Sequence, residues 1–238
     1  MNDSKPWWIL VGAGRRLGRA LAENLASDCH LLLTGSRPWA KTDPWIAELS
    51  SKTQIRTLCW NAENPALDSQ MMAEMEALGA EGIRFQSAVL VAGTFPRQPF
   101  GSWTSPALSD LFRLNLTFPM LAAQAIAPHL ETGGSLQLLL DSAIHRPLLQ
   151  RLPYTASKAA LASLVPGLAR QLAPRRVAGH ALGVVLPDEG SDPETLAQQN
   201  LLGFNGAVED LARALRYVAQ SPYLTGEILT LDGGWQWR

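Results

Sequence analysis

Short apolar runs alternate with longer amphipathic stretches along the whole chain. The apolar runs are nearly continuous in Val, Ile and Leu, which is typical of strands buried on both faces of a parallel sheet. Helix-length stretches between the strands imply right-handed crossover connections. The pattern therefore predicts an α/β fold, a single doubly wound Rossmann-like domain with a parallel, seven-stranded sheet. The predicted strands cover residues 7–11, 31–34, 55–58, 88–91, 136–140, 177–186 and 227–231.

The length of 238 residues agrees with one domain, because chains usually divide only beyond about 250–300 residues. No repeat or low-complexity linker interrupts the pattern. Within this one domain we expect a nucleotide-binding half of about residues 1–135 and a catalytic and substrate half of about residues 136–238.

Composition and charge restrict the partners. The chain is 47% apolar and 17% charged with a net charge of −1, so it lacks the basic surface that nucleic acids or anionic membranes attract. Two isolated cysteines suit a reducing compartment, and the apolar run near the N-terminus is too short for a signal sequence or a membrane span. The four histidines have no metal-site spacing. We therefore expect a cytoplasmic protein that acts on a small molecule, with no metal.

A glycine-rich turn directly follows the first predicted strand and opens a helix. This arrangement places free backbone N–H groups where a pyrophosphate would bind. Arg15 and Arg16 lie at the same helix start, where cations are unfavourable unless an anion is held there. The alternative is that both arginines are simply solvated. The turn reads Gly12-Ala13-Gly14-Arg15-Arg16-Leu17-Gly18.

The end of the second predicted strand indicates which cofactor the turn would serve. Ser36 and Arg37 follow that strand, and no acidic residue stands where one would bind an adenosine ribose. Arg37 can instead meet a 2′-phosphate, which favours NADP(H) over NAD(H). A solvent-facing arginine in a turn is the alternative.

Tyr154 and Lys158 provide the candidate chemistry. They lie four residues apart in a helix-forming run that follows Pro153, so their side chains share one helix face. A nearby ammonium favours the tyrosinate form, which lets the phenol exchange a proton near neutral pH.

These features together resemble the short-chain dehydrogenase/reductase family over the whole chain. The resemblance rests on the glycine turn, Asn115 within a helix, the Tyr154/Lys158 pair and the terminal Leu231-Asp232-Gly233-Gly234. It implies an oxidoreductase, expected as a homotetramer, in which the Asn115 carbonyl holds a water in a proton relay. Pro119 supports this role because it lacks the N–H that would otherwise bond that carbonyl; a kink that serves only packing is the alternative.

The resemblance also implies a set of nucleotide contacts. The residues expected at the cofactor are Gly12, Arg15, Arg16, Leu17, Gly18, Ser36, Arg37, Asn61, Ala92, Gly93, Tyr154, Lys158 and Pro187.

Three positions are most similar to the pteridine reductases and bacterial dihydromonapterin reductases. Arg16 stands where most family members have a second glycine, and Asp141 stands where the catalytic serine is usual. Phe95 matches an aromatic residue that stacks on a pterin ring. The resemblance thus implies catalysis by Asn115, Asp141, Tyr154 and Lys158, and substrate contacts from Arg16, Phe95, Asp141 and Tyr154.

Alternatives remain for two of these positions. Ser142 would replace Asp141 if the loop register is shifted by one residue. Independently, Phe95 is as well explained by ordinary hydrophobic packing as by stacking on a ring. A carboxyl beside the tyrosine agrees with pterin reduction, because a C=N bond needs a proton on nitrogen.

The sequence also departs from the family pattern. Leu90-Val91 and Asn61 replace an asparagine pair and an aspartate, and Asp188 follows Pro187 where glycine is usual. We therefore keep three functions open: an NADPH-dependent reductase of dihydromonapterin, dihydrobiopterin or dihydrofolate; a reductase of 3-oxoacyl or small ketone substrates; and a non-catalytic NADP-binding regulator.

Overall fold

A computed structural model describes residues 5–40, 42–185, 187 and 191–238; Asp188 lies outside them. Its centre is one seven-stranded sheet in the order β3-β2-β1-β4-β5-β6-β7, with every neighbouring pair parallel. This confirms the single doubly wound domain. The strands are β1 (Trp7–Val11), β2 (His30–Gly35), β3 (Ile55–Cys59), β4 (Phe85–Leu90), β5 (Leu130–Asp141), β6 (Arg176–Leu182) and β7 (Glu227–Leu231).

Helices cover both faces of the sheet. One face packs in a core with α1 and α8, and the other packs in a second core with α3, α5 and α6. The amphipathic α1 shows the principle, since its buried positions recur at helical spacing. The helices are α1 (Arg16–Leu25), α2 (Pro44–Ser50), α3 (Leu67–Ala80), α4 (Ser105–Phe112), α5 (Phe118–Ile126), α6 (Leu152–Leu172), α7 (Pro193–Ala197) and α8 (Val208–Gln220).

The strand order reverses between β1 and β4, and this reversal creates the crevice. In open parallel sheets, ligands bind outside the carboxyl ends of the strands at such a switch point. Here the two diverging loops touch. The backbone N–H groups of Val91 and Ala92, just after β4, both donate to the Val11 carbonyl at 2.9 Å.

Three predicted strands differ from the observed ones by three or more residues at one end. Strand β4, predicted over residues 88–91, already begins at Phe85. The predicted strand 177–186 ends four residues early, at Leu182. The apolar residues Val184 and Val185 follow in a bend, because apolar residues can also be buried from a loop. At β5 the prediction began at residue 136, whereas the strand starts at Leu130. Its pairing with β4 skips from Leu130 to Ser135, so the intervening glycines form a bulge rather than a turn.

A buried polar network lies within the sheet. Gln137 of β5 donates to the Ser87 hydroxyl at 2.8 Å, and its side-chain oxygen lies 2.8 Å from His180 Nε2. Gln137 also donates to the Leu215 carbonyl of α8 at 3.2 Å. All three side chains are fully buried, and burial lowers the pKa of His180 to about 4. The imidazole is therefore neutral at physiological pH.

Candidate active site

The glycine turn lies at the switch point, against the loop after β4. Gly12 has φ +96°, and a Cβ atom there would lie 2.7 Å from the Ala92 Cα atom. A Cβ atom on Gly18 would overlap the Gly12 carbonyl. Both glycines are therefore required by close backbone approaches.

The N-terminus of α1 follows this turn, and its N-cap residue provides no side-chain cap. Arg15 is the N-cap residue, its side chain makes no capping hydrogen bond, and the first turn contains no acidic residue. The first N–H groups of a helix need an acceptor, and the local sequence offers cations instead. Leu17 is half-buried in the following turn. This end of α1 thus fits an anion such as a pyrophosphate.

Arg16 has an unusual backbone conformation and spans the crevice. Its φ of +42° is the left-handed conformation that glycine tolerates best, which agrees with its position at a family glycine. The Arg16 guanidinium donates to the carbonyl of Pro187 at 3.0 Å. Two residues predicted at the cofactor are therefore linked across the site.

The residues predicted to meet the adenosine half of the cofactor directly follow β2. Ser36 and Arg37 are both exposed there. Behind them Trp39 lies over Gly35, where an added Cβ atom would be 3.0 Å from the indole, and its Nε1 donates to the Leu58 carbonyl at 3.1 Å. Trp39 in turn stacks on Trp45 at 5.8 Å between ring centroids.

Asn61 follows β3 on the same side. Its side-chain oxygen accepts a hydrogen bond from the Glu63 N–H at 3.0 Å, forming a local turn. Because the oxygen is used this way, the amide can offer a nucleotide base a donor, where an aspartate would offer an acceptor.

Asn115 lies in a π-helical turn, Arg113–Thr117, that joins α4 to α5. From the sequence, Pro119 is expected to leave the Asn115 carbonyl without an N–H partner, and the π turn lies where the helix adjusts to that missing N–H. Its side chain brackets Thr94: the amide donates to the Thr94 carbonyl at 2.9 Å and accepts from the Thr94 N–H at 2.7 Å. It also donates to Ser157 of α6 at 3.2 Å. Asn115 therefore fixes the loop after β4 to the catalytic helix.

The Tyr154 hydroxyl donates to the Asp141 carboxylate at 2.7 Å. This is the contact that the spacing predicts, because Asp141 is the last residue of β5 and Tyr154 lies in the first turn of α6. The other Asp141 oxygen caps a short turn by accepting from the Ala143 N–H at 2.7 Å. Ser142 is buried at the start of that turn.

Lys158 lies one turn after Tyr154 and is buried. Its ammonium donates to the Leu139 carbonyl of β5 at 2.8 Å. Gly93 is adjacent, since a Cβ atom there would lie 3.6 Å from Lys158 Nζ and 3.2 Å from the Asn115 side-chain oxygen. The missing side chain at Gly93 thus leaves room beside both polar groups.

Burial changes the acidity of both charged groups. It raises the pKa of Asp141 above its ordinary value, against the hydrogen bonds from Ala143 and Tyr154 and the charges of Lys158 and Arg151. It lowers the pKa of Lys158 to about 8, against the attraction of Asp141. Perturbed carboxyl and amine groups beside a tyrosine form a set that can exchange protons near neutral pH.

Phe95 meets Tyr154 edge to face, with the ring centroids 4.5 Å apart. Arg151, which the sequence analysis did not select, covers the Phe95 ring with its guanidinium carbon 3.7 Å from the centroid, and it donates to the Phe95 carbonyl. The structure thus brings Phe95 to the tyrosine, and a guanidinium occupies one face of the ring.

Two further features bear on the type of protein. Among the described residues, no cluster of histidine, cysteine, aspartate or glutamate has the arrangement of a metal site. In the same part of the chain, no helix combines the length and apolarity needed to cross a bilayer.

Comparisons with known proteins agree with this geometry. Residues 12–236 match the family described as enoyl-(acyl carrier protein) reductase. The chain is 25% identical to a dihydromonapterin reductase of Klebsiella pneumoniae, covering 98% of both proteins, and 23% identical to carbonyl reductase family member 4 of Danio rerio, covering 96% and 97%. A solved structure of a blue fluorescent protein from a metagenomic library, in complex with NADPH, superposes with a TM-score of 0.86 at 25% identity over 98% of both chains. The family uses nicotinamide cofactors, and its members support an enzyme over the non-catalytic regulator. This chain is an oxidoreductase and belongs to the short-chain dehydrogenase/reductase family.

Proposed function

We propose that the chain is an NADPH-dependent reductase of a dihydropterin, such as dihydromonapterin or dihydrobiopterin, with dihydrofolate as a further candidate. The observation that carries the proposal is the 2.7 Å hydrogen bond from the Tyr154 hydroxyl to the Asp141 carboxylate. A carboxyl group at this position supplies an acid and an acceptor, whereas a serine supplies only a hydroxyl. The similarity to a dihydromonapterin reductase supports the same substrate class.

Reduction of a C=N bond adds a hydride to carbon and a proton to nitrogen. NADPH, when bound, supplies the hydride. Tyr154 donates the proton, and Asp141 accepts a hydrogen bond from that tyrosine or binds the amino edge of the ring. The buried ammonium of Lys158 favours the tyrosinate that remains. Water held at the Asn115 carbonyl would return a proton from solvent, because Pro119 cannot bond that carbonyl.

The residues of the crevice fit a dinucleotide phosphate. The backbone of Gly12 to Gly18 and the N-terminus of α1 would hold the pyrophosphate, with Arg15 and Arg16 beside it. Ser36 and Arg37 would hold the 2′-phosphate, which is the basis for proposing NADPH. The other proposed contacts are Leu17, Asn61, Ala92, Gly93, Tyr154, Lys158 and Pro187.

A carbonyl reductase is the second candidate, favoured by one specific observation. The guanidinium of Arg151 covers one face of Phe95, so that face is not open to a pterin ring. A 3-oxoacyl or small ketone substrate would not need it, and the similarity to a carbonyl reductase agrees with this alternative.

The test is an NADPH-oxidation assay that compares dihydromonapterin, dihydrobiopterin, dihydrofolate and a 3-oxoacyl thioester under the same conditions. We expect the highest kcat/KM with a dihydropterin. Tyr154→Phe serves as the control, with turnover reduced on the order of 10²–10⁴ because positioned proton transfer is lost. Turnover of the thioester alone would identify the carbonyl reductase instead.

A further inference from the structure

Two segments of the chain that reach the active site contain no acidic residue. From Ala92 to Ser109, and again from Ser142 to Pro187, the sequence contains no aspartate or glutamate. The first segment follows β4, and the second contains the catalytic helix α6. Both segments carry arginine near the site, Arg97 in the first and Arg151 in the second.

The two arginines lie where the loops join. Arg151 donates to the Phe95 carbonyl, and next to it the Gln98 N–H donates to the Gln150 carbonyl at 2.9 Å. Arg97 reaches the side-chain oxygen of Gln150 at 3.5 Å. The Gln98–Gln150 backbone hydrogen bond already holds the two loops together. Contact between the loops therefore does not by itself explain why two arginines lie there.

The charge of Arg151 acts on the Asp141 carboxyl of the site. Within the described part of the chain, neither Arg97 nor Arg151 forms an ion pair with a carboxylate, although several surface arginines do. Arg146, on the same loop, is already placed over the Trp235 ring at 5.0 Å. An excess of one charge sign at a cleft attracts a ligand of the opposite sign.

The location ties this charge to the reacting group. Arg151 is separated from Tyr154 by a single aromatic ring, since it lies over Phe95 and Phe95 contacts the tyrosine. Its charge also acts on the Asp141 carboxyl, whose pKa it lowers against the effect of burial. A guanidinium has five N–H donors in a planar fork that matches a carboxylate or a phosphate, and the Phe95 carbonyl uses one of these donors.

We propose that Arg151, assisted by Arg97, binds an anionic group of the substrate, so that the preferred substrate carries a carboxylate or a phosphate beyond its reducible group. The inference rests on the proposed function for the position of that reducible group at Tyr154 and Asp141. It narrows the substrate class, because dihydromonapterin and dihydrobiopterin are neutral in their side chains.

The test measures binding by calorimetry to the whole protein saturated with NADP⁺, so that anions cannot enter the nucleotide site and no turnover is needed. Matched ligands differ only in charge: folate against its bis-amide, neopterin against neopterin 3′-phosphate, and acetoacetyl-pantetheine against its 4′-phosphate. The first pair tests a carboxylate, and the other two test a phosphate on a pterin and on a ketone.

We expect the anionic member of at least one pair to bind about tenfold more tightly, as a charge-assisted bidentate contact would provide. In Arg151→Gln this preference should fall to about threefold or less, and in Arg97→Gln it should be reduced. Arg151→Lys should restore part of it, since lysine keeps the charge but not the fork. The matched control is Arg170→Gln, which removes an exposed arginine about 28 Å from Arg151 along α6 and should leave the preference unchanged.

Equal affinities within all three pairs would overturn the inference, as would a preference that survives in both glutamine variants. If Arg151→Gln does not fold, Arg97→Gln and the salt dependence of the native protein decide: added salt should weaken only the anionic ligands. The proposed function is judged separately. Dihydrobiopterin turnover without an anion preference would retain the pterin reductase and reject this anion site. An anion preference seen only with acetoacetyl-pantetheine, together with no turnover of any pterin, would retain the anion site and reject the pterin reductase.

Discussion

At the scale of single residues, the question is whether Asp141 or its neighbour Ser142 acts as the third catalytic group beside Tyr154 and Lys158. Asp141→Asn keeps the size and the hydrogen bond to the Ala143 N–H, but its amide NH₂ cannot accept from the Tyr154 hydroxyl or from an amino group, so we expect pterin turnover to fall on the order of 10²-fold. Asp141→Ala should lose at least as much, and Asp141→Ser should not restore activity. Steady-state kinetics measures the effect.

The matched control is Ser142→Ala, which should change kcat/KM little because the tyrosine is bonded to the aspartate. An active Asp141→Ala together with an inactive Ser142→Ala would instead assign the chemistry to the serine and favour carbonyl reduction.

Arg37 is the residue expected to select the phosphorylated cofactor. Arg37→Asp should reduce or reverse the preference for NADPH over NADH, because a carboxylate repels the 2′-phosphate and can accept from a ribose hydroxyl. The measurement is the ratio of kcat/KM for the two cofactors. A native enzyme that uses both equally would show the assignment to be wrong.

Two substitutions of Arg16 distinguish the effect of its backbone strain on stability from the effect of its side chain on cofactor binding. Because its φ of +42° favours glycine, Arg16→Gly should be about 1 kcal/mol more stable than Arg16→Ala in denaturant unfolding. Both variants lose the guanidinium that reaches Pro187 and should bind NADPH more weakly by similar factors. Equal stability of the two variants would mean that the left-handed conformation is not retained in solution.

At the scale of elements, the π turn between α4 and α5 contains Asn115, and Pro119 just after it bears on the proposed proton relay through the Asn115 carbonyl. Pro119→Ala introduces an N–H that can bond the Asn115 carbonyl, so we expect kcat to fall about tenfold while the melting temperature holds or rises. The control is Pro166→Ala, which removes an exposed proline inside α6, away from the site. A Pro119→Ala enzyme with native kcat would remove the carbonyl from the proton relay.

Element types were predictable from the sequence, but some boundaries were not. Val184 and Val185 have the composition of a strand, yet only pairing with a neighbour makes a strand, and β6 pairs with β7 only as far as Leu182. The glycines Gly133 and Gly134 are typical of a turn, yet Gly134 fits a close approach to the backbone of β4 within a bulge. Such outcomes depend on the neighbouring strand, which local sequence does not specify.

The candidate site shows the same division. Tyr154 and Lys158 could be located from their helical spacing, and Asp141 from the resemblance to the family, because these positions follow from the register of β5 and α6. Arg151 could not, because its position depends on how two loops distant in sequence meet across Phe95. The same holds for the bond between Arg16 and Pro187, which joins residues 171 positions apart.

At the scale of the whole molecule, the buried polar network predicts how stability depends on pH. The pKa of His180 falls from 6.5 to about 4 on folding, so the unfolded chain binds a proton in this range that the folded protein does not. Stability from this residue is therefore present above pH 6.5 and is lost as the pH falls toward 4, by up to about 3 kcal/mol. The raised pKa of Asp141 gives a slope of the opposite sign, so comparison of variants is needed.

In denaturant titrations between pH 7 and pH 4, His180→Gln should lose part of the native pH slope even if it is less stable throughout. His145→Gln is the control: because His145 is exposed, this variant should keep the native dependence of the unfolding free energy on pH. Parallel curves for the native protein and His180→Gln would show that the histidine does not contribute to acid unfolding.

The stacked pair of Trp39 and Trp45 gives the protein an intrinsic optical reporter. Trp39 lies over Gly35, immediately before Ser36 and Arg37, and Arg19 sits 4.5 Å above the Trp45 ring. A nucleotide that settles against Ser36 and Arg37 therefore changes the surroundings of an indole whose emission is sensitive to nearby charge. Fluorescence can thus follow occupancy at the adenosine end without label or catalysis, including in variants that have lost all turnover.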